Sequence, residues 1–291
     1  MILRSFLFAP ANHARHVAKA LSGAADGTIL DLEDAVAVSE KPAARVAAHD
    51  ILAQRTATVP AAYVRINALS TPFAFADLHA VVGPGLAGII VPKTESAEHM
   101  AIVDWLLHQL ELERGLTPGS IDLMPIIETA VGLTHMAEIA TASPRVRRLN
   151  FGAGDFSLDT NMTWTAGHPG LLWARIQTVI ASRAAGLEPP IDTVFADLAN
   201  SDGLRAETML AQQLGFQGKA CIHPDQVTIV NDVFTPTPAE VERAQRIVTA
   251  FADAERAGVA SFSIDGQFVD YPVAAKAQRI LTLATHSKRG N

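Results

Sequence analysis

Residues 29–36 read ILDLEDAV, so Asp31, Glu33 and Asp34 follow directly on two apolar residues. A buried strand that ends in three carboxylates has a use for negative charge: orienting cations, holding a metal ion or moving protons. The pattern recurs. Arg65 and Asn67 close YVRIN, Lys93 closes GIIVPK, Glu128 closes IDLMPIIE and Asp155 closes NFGAGD. Asp197 and His223 follow two further apolar runs. Each of these charges is costly to bury alone, so gathering them requires pairing or a metal.

Glu128 and Asp155 are the expected metal ligands. They end consecutive apolar runs, and two carboxylates completed by waters is how Mg²⁺ is usually held. The glycines of FGAGD allow the backbone to approach an ion or substrate closely. The competing reading is two polar strand ends facing solvent. Arg65 carries a permanent, forked charge suited to a planar carboxylate or a developing enolate. It also reads as a structural ion pair with Glu33 or Asp34, and both roles can hold at once. On that reading part of the acidic triplet orients Arg65 and Lys93. His223 reads equally as a general acid or as a structural residue beside Pro224. Neither Ser5 nor Ser157 has an evident base, so no nucleophile triad is expected.

These residues need elements to carry them. Short apolar segments alternate with helical patterns: SFLFAP, GTILDLE, AAYVRIN, AGIIVPK, IDLMPIIE, VRRLNFGAGD, IDTVFADL and QGKACIHP each precede an amphipathic stretch. Near-continuous apolar runs of this kind are strands of a parallel sheet covered by helices. Eight such units predict a (β/α)₈ TIM barrel over residues 1–234, with chemistry at the C-terminal ends of its strands. The chain from 235 to 291 reads differently. TPTPAEVERAQRIVTAFADAERAG is a helix with Pro238 near its start and Gly258 past its end. VASFSIDGQFVDYP is weakly extended, and VAAKAQRILTLATH is a final helix. Together they predict a C-terminal helical and lid extension.

Composition narrows the function. The 291 residues, 49% of them hydrophobic, can bury a large core. A net charge of -7 argues against nucleic acid. The single cysteine, Cys221, excludes an internal disulfide framework and suits a reducing compartment. No apolar run approaches the roughly 20 residues of a membrane span. The N-terminal MILRSFLFAPANHA reads as a first strand, and the expected location is cytoplasmic.

The ordered set RSFLFAP, GTILDLEDAV, VRIN, GIIVPKTES, PIIET, FGAGDFSLD, IDTVFAD, LGFQGKACIHPDQV and DGQFVDYPVAAKAQRIL resembles the citrate lyase β-subunit-like (CitE-like) branch of the HpcH/HpaI aldolase superfamily. The match spans Arg4 to about Leu281. The resemblance implies Mg²⁺-dependent cleavage or formation of a carbon–carbon bond beside a thioester, as in malyl-CoA, citramalyl-CoA and citryl-CoA lyases. It also implies a homotrimer or hexamer. Glu128 and Asp155 match the metal ligands. Arg65 matches the arginine on the keto-acid or enolate oxygen, and Glu33 and Asp34 match the acidic second-strand motif of the catalytic set. Lys19 matches a lysine near the CoA phosphates, and with Arg65, Lys93 and Phe8 it makes up the expected substrate- and CoA-binding set. Asp270, in FVDYP, matches the acid that the C-terminal segment delivers to a neighbouring subunit. Two departures concern substrate. Ala9-Pro10-Ala11 replaces the usual VPG, leaving His13 and Arg15 as the basic residues just after it, and the loop 161–170 lies where the acyl group would be read. The implied alternatives are a citrate lyase β-type subunit acting on a carrier-protein thioester, and a class II pyruvate aldolase acting on CoA-free hydroxy-keto acids. A barrel that only binds acyl-CoA or a partner protein has no need of Arg65, Glu128, Asp155 and Asp270 together.

Overall fold

The structure, a computed structural model, describes residues 3–56, 60–163 and 169–287. Its elements are β1 (Ser5–Pro10), α1 (Ala14–Leu21), β2 (Gly27–Asp31), α2 (Lys41–Ala53), β3 (Ala61–Arg65), α3 (Ala74–Val81), β4 (Gly88–Val91), α4 (Ala97–Glu113), β5 (Asp122–Ile127), α5 (Ala130–Thr134), α6 (Met136–Thr141), β6 (Asn150–Phe151), α7 (Ala153–Asp159), α8 (Pro169–Ala184), β7 (Ile191–Asp192), α9 (Ser201–Leu214), β8 (Gly218–Cys221), α10 (Pro224–Phe234), α11 (Pro238–Arg256), β9 (Phe262–Ile264), β10 (Gln267–Val269) and α12 (Tyr271–Ser287). They fall into two compact units, residues 3–231 and 232–287, with the division inside α10.

In the first unit β1 to β8 close a parallel barrel in chain order. This is the expected (β/α)₈ arrangement. Side chains on each strand alternate between the barrel interior and the helix layer. Phe6, Ile29, Tyr63, Ile90, Met124, Ile126 and Ile191 belong to one buried interior cluster. Two residues beyond Ile29, Tyr63 and Ile126, the same face of the pleat carries Asp31, Arg65 and Glu128. The period of two therefore sets a charged layer on top of an apolar one. Gly88 serves that apolar layer, because a Cβ there would lie 2.3 Å from the Tyr63 ring. The ring's hydroxyl donates to Asp122 Oδ2 at 2.8 Å.

Several boundaries differ from expectation. The seventh strand stops at Asp192, so its expected end near Asp197 is corrected: Asp197 is exposed in the loop that follows. Asp192 follows the inward Ile191 and faces the helix layer. There it accepts bonds from Arg175 Nε at 2.9 Å and Lys219 Nζ at 2.8 Å, with Glu207 also bound to Lys219 at 2.7 Å. β6 holds only two residues, which places Asp155 in the first turn of α7 instead of on a strand end. The amphipathic stretch that follows IDLMPIIE is broken at His135 into two short helices, α5 and α6. Of the loop 161–170, residues 164–168 lie outside the described residues.

The second unit is a helical pair with a hairpin. Thr237 and Glu240 form a reciprocal capping box at the start of α11, and Pro238 occupies its first turn. Ala244, Ile247, Phe251, Val269 and Ala277 pack as its core. β9 and β10 pair antiparallel, and the turn between them places both Asp265 and Gly266 at positive φ, as a tight two-residue hairpin requires. Among the described residues, no helix is long and apolar enough to cross a membrane.

Beneath the barrel, α4 is tied to the loop that enters β5. Buried Glu111 accepts from the amides of Gly119 (2.8 Å) and Ile121 (3.2 Å), and it pairs with Arg145. Burial alone would raise its pKa, but the Arg145 and amide bonds outweigh burial and bring it down to about 2. An acid held below its unfolded value contributes stability that is present above about pH 4.5 and is lost as pH falls towards 2. Glu111→Gln should therefore lower unfolding stability by about 2 kcal/mol at pH 7, since it removes one of the two carboxylates that hold buried Arg145 and leaves it paired with Asp104. It should also flatten the loss of stability between pH 4.5 and 2. Urea unfolding at several pH values reads both effects.

Candidate active site

Parallel pairing of β2 with β3 sets Asp31 directly opposite Arg65. Their side chains share a pleat face and meet fork to fork. Arg65 Nε donates to Asp31 Oδ1 at 2.6 Å, and its Nη2 donates to Oδ2 at 2.7 Å. Burial pushes the Asp31 pKa up, but the Arg65 charge and hydrogen bonds outweigh it and hold the group ionised. The same pairing raises the Arg65 pKa against its own burial. Arg65 Nη1 lies 3.0 Å from Glu33 Oε2, and the guanidinium carbon stands 4.9 Å from the centre of the Phe8 ring. One face of the guanidinium is covered by an aromatic ring and one edge is bound by a carboxylate, so its orientation is set.

The turn after β2 is held from behind. Asp31 accepts from the amides of Glu33 (3.1 Å) and Ala35 (3.0 Å). Buried Lys41 donates to the carbonyls of Leu32 and Glu33, both at 2.9 Å. Asn67 Nδ2 donates to the Leu32 carbonyl at 2.9 Å and to Asp77 at 2.6 Å. Asn67 therefore braces the acidic turn from outside the cavity.

Lys93 follows β4 with φ at +48°. Its amide donates to Glu128 Oε1 at 2.7 Å, and its ammonium lies 2.7 Å from Glu33 Oε1 and 3.7 Å from Asp155 Oδ1. Gly152 leaves room for Glu128, because a Cβ at 152 would lie 2.5 Å from Glu128 Oε2. At the end of β7, the Thr193 hydroxyl accepts the first amide of α7 at 2.9 Å, fixing the helix that bears Asp155. The Glu128 pKa is pushed up to about 8, first by burial and then by the charges of Asp155 and Glu33, against the Lys93 amide and Arg65.

These groups surround a cavity of about 410 Å³ at the C-terminal ends of the strands, lined by Phe8, Asp31, Asp34, Arg65, Glu128 and Asp155 among others. Phe8, Asp34, Arg65, Glu128 and Asp155 of the sequence-derived set thus converge there. Glu33 stands behind them as partner of Arg65 and Lys93. Lys19 is exposed on α1 and does not line this cavity. His223 does not line it either, and its ring lies 3.5 Å from Asp225. Asp270 belongs to the second unit, where its Oδ1 accepts the Val273 amide at 3.2 Å at the start of α12. Sequence reasoning passed over Asp31 as the main partner of Arg65, and it passed over Thr193. The signal was present for both: each stands two residues past an inward core residue.

Two cations, Arg65 and Lys93, face five carboxylates at this mouth: Asp31, Glu33, Asp34, Glu128 and Asp155. Among the described residues no group of three or more metal-type side chains is arranged around one point. The pair Glu128 and Asp155, with oxygen donors only, fits a hard divalent ion that keeps several waters.

The HpcH/HpaI aldolase/citrate lyase family matches residues 4–224, and a family described as a C–C bond lyase of the TIM-barrel fold matches residues 174–286. The citrate lyase subunit beta of Leuconostoc mesenteroides subsp. cremoris is 38% identical, covering 97% of this chain and 93% of the relative. The L-malyl-CoA/beta-methylmalyl-CoA lyase of Rhodobacter capsulatus is 34% identical, covering 98% and 95%. The crystal structure of CitE from Mycobacterium tuberculosis in complex with magnesium, acetoacetate and coenzyme A superposes with a TM-score of 0.80, at 32% identity and 98% coverage of both chains. The chain is a TIM-barrel protein with a charged C-terminal mouth, and it belongs to the HpcH/HpaI aldolase/citrate lyase family.

Asp31→Asn should cost about 2 kcal/mol in chemical unfolding, because largely buried Arg65 loses its bidentate partner and keeps Glu33 at 3.0 Å. An unchanged midpoint would show that Glu33 alone suffices to hold the guanidinium.

Proposed function

We propose that this chain is a Mg²⁺-dependent carbon–carbon lyase. Its substrate is a 3-hydroxyacyl-CoA such as malyl-CoA or citramalyl-CoA, cleaved to or formed from acetyl-CoA and a 2-keto acid. Glu128 carries the reading. Buried beside Asp155 and Glu33 in a cavity that also presents Arg65, its carboxyl keeps its proton up to about pH 8 unless a cation neutralises the cluster. Family membership and the magnesium, acetoacetate and coenzyme A of the Mycobacterium tuberculosis structure support the same assignment.

Glu128 and Asp155 would hold the ion, which when bound supplies Lewis-acid polarisation of the oxygen that becomes the keto group. Asp34 lines the cavity with its carboxylate open to solvent, and it takes the proton of the 3-hydroxyl. The carbon–carbon bond then breaks, and its electron pair passes to the thioester fragment as an enolate. Arg65, aimed by Asp31, stabilises that negative charge. Asp270 returns a proton to the acetyl carbon, giving acetyl-CoA. It is delivered by the C-terminal segment of a neighbouring subunit in a trimer or hexamer, and closure of that segment excludes water. A second reading has its own support. The Leuconostoc citrate lyase subunit beta is 38% identical against 34% for the Rhodobacter malyl-CoA lyase, which favours a subunit working on a carrier-protein thioester.

Purified protein should release acetyl-CoA from malyl-CoA or citramalyl-CoA with Mg²⁺ and not with EDTA. Silence on both thioesters would reject the free-standing lyase. Turnover of free 4-hydroxy-2-keto acids would then mark a CoA-free aldolase, and activity with a loaded carrier protein would mark the citrate lyase subunit. Asp270→Asn should lower kcat by about 10³-fold, the scale of a lost general acid, while Mg²⁺ binding by calorimetry stays intact. Full activity in that variant would remove Asp270 from the mechanism.

A further inference from the structure

Lys93 combines three features that its expected role as a substrate contact does not explain. It is one of three non-glycine residues at positive φ among the described residues, and the other two are Asn161 and Asp265. Asn and Asp tolerate the left-handed region, whereas lysine gains nothing there to offset the clash of its Cβ. Second, its side chain does not line the cavity, because the ammonium is engaged by Glu33 at 2.7 Å. Third, its amide reaches Glu128 Oε1 at 2.7 Å.

The surroundings enforce this conformation. On the C-terminal side, the Thr94 amide donates to the Ile126 carbonyl at 3.3 Å, and the Thr94 hydroxyl donates to the Val91 carbonyl at 2.9 Å. α5 closes against the same point, for a Cβ on Gly132 would lie 2.4 Å from the Thr94 carbonyl oxygen. On the N-terminal side Val91 is paired with Pro125 of β5, so the chain is pinned on both sides of Lys93 and makes a sharp corner. At that corner the amide faces Glu128 while the side chain turns towards Glu33. Strain of this kind persists only where neighbouring structure over-determines it, and it concentrates at functional sites.

We propose that Lys93 is a positioning residue for Glu128: its left-handed backbone aims one amide at the carboxylate and so presets that side chain for a divalent cation. The inference rests on the Mg²⁺ reading of the site and adds to it the element that sets ligand geometry. It also assigns the ammonium to bracing the acidic turn through Glu33.

Uncharged substitutions separate the backbone from the ammonium. Lys93→Asn and Lys93→Gly accept positive φ, while Lys93→Val opposes it. Metal-free protein of each variant is titrated with MgCl₂ by calorimetry. Lys93→Val should bind about tenfold more weakly than Lys93→Asn, the scale of a left-handed penalty on an L-residue. If Lys93→Val does not fold, Lys93→Ala takes its place with about a threefold deficit expected. Equal affinities in the opposed and tolerant variants overturn the proposal. So does a raised KM shared alike by all variants with Mg²⁺ affinity unchanged, which is the signature of a substrate contact. If the wild-type protein takes up no Mg²⁺, the metal reading falls, and the Glu128 carboxyl carbon resonance in ¹³C-glutamate-labelled protein decides this inference separately. That resonance, assigned by its loss in Glu128→Gln, should move in Lys93→Val and stay in Lys93→Asn. A resonance unmoved in Lys93→Val overturns the proposal without any metal present.

Discussion

The fork-to-fork bond between Asp31 and Arg65 is the interaction on which the rest of the mouth depends. It exists because two adjacent parallel strands place these residues opposite one another on the same pleat face. With Asp31 committed to Arg65, the guanidinium has one orientation, held over Phe8 and within reach of Glu33. Glu33 in turn takes the Lys93 ammonium, and the Lys93 amide takes Glu128. The places of Arg65 and Glu33 thus trace back to the register of β2 and β3, and the Lys93 corner, pinned at Thr94, adds Glu128 to them.

Two of the barrel's buried charge networks have opposite character. On the helix side of β7 and β8, Arg175 and Lys219 meet Asp192 and Glu207, two cations against two carboxylates. That network is balanced, and its role is to seat α8 and α9 on the barrel. At the mouth, two cations face five carboxylates, and one of those carboxyls has its pKa pushed up to about 8. An unbalanced cluster of this kind is costly in an empty protein and becomes favourable when a ligand of the missing charge arrives. The contrast separates a structural network from a binding site without appeal to relatedness.

Asp270, the acid proposed for the reaction, stands in the second unit at the start of its last helix, outside the barrel's own logic. Pleat alternation and strand register explain the mouth residues, but they say nothing about an acid on an appended hairpin and helix. Its proposed part in the reaction rests on family resemblance and on the requirement that an enolate be protonated away from water.

The barrel itself was legible in the chain. Eight apolar runs interleaved with amphipathic stretches admit few other arrangements, and Pro238 near its start and Gly258 past its end announced α11. Residue types past each run marked Arg65, Glu128 and Asp155 as candidates, and the structure brings all three to one cavity because strand order sets their ends around one mouth. Other features were beyond local reading. β7 stops at Asp192 because that side chain finds two buried cations in the helix layer, a partnership among residues 175, 192 and 219. Asp155 sits on a helix because β6 is only two residues long. Asp31 holds Arg65, Asn67 turns away to brace a loop, and Lys93 spends its charge on Glu33 and its amide on Glu128. The sequence by itself determined which residues could do chemistry and which end of a barrel they occupy, since both follow from local period and composition. Only the tertiary structure decided which charge pairs with which, because pairing depends on register and on contacts between strands far apart in the chain.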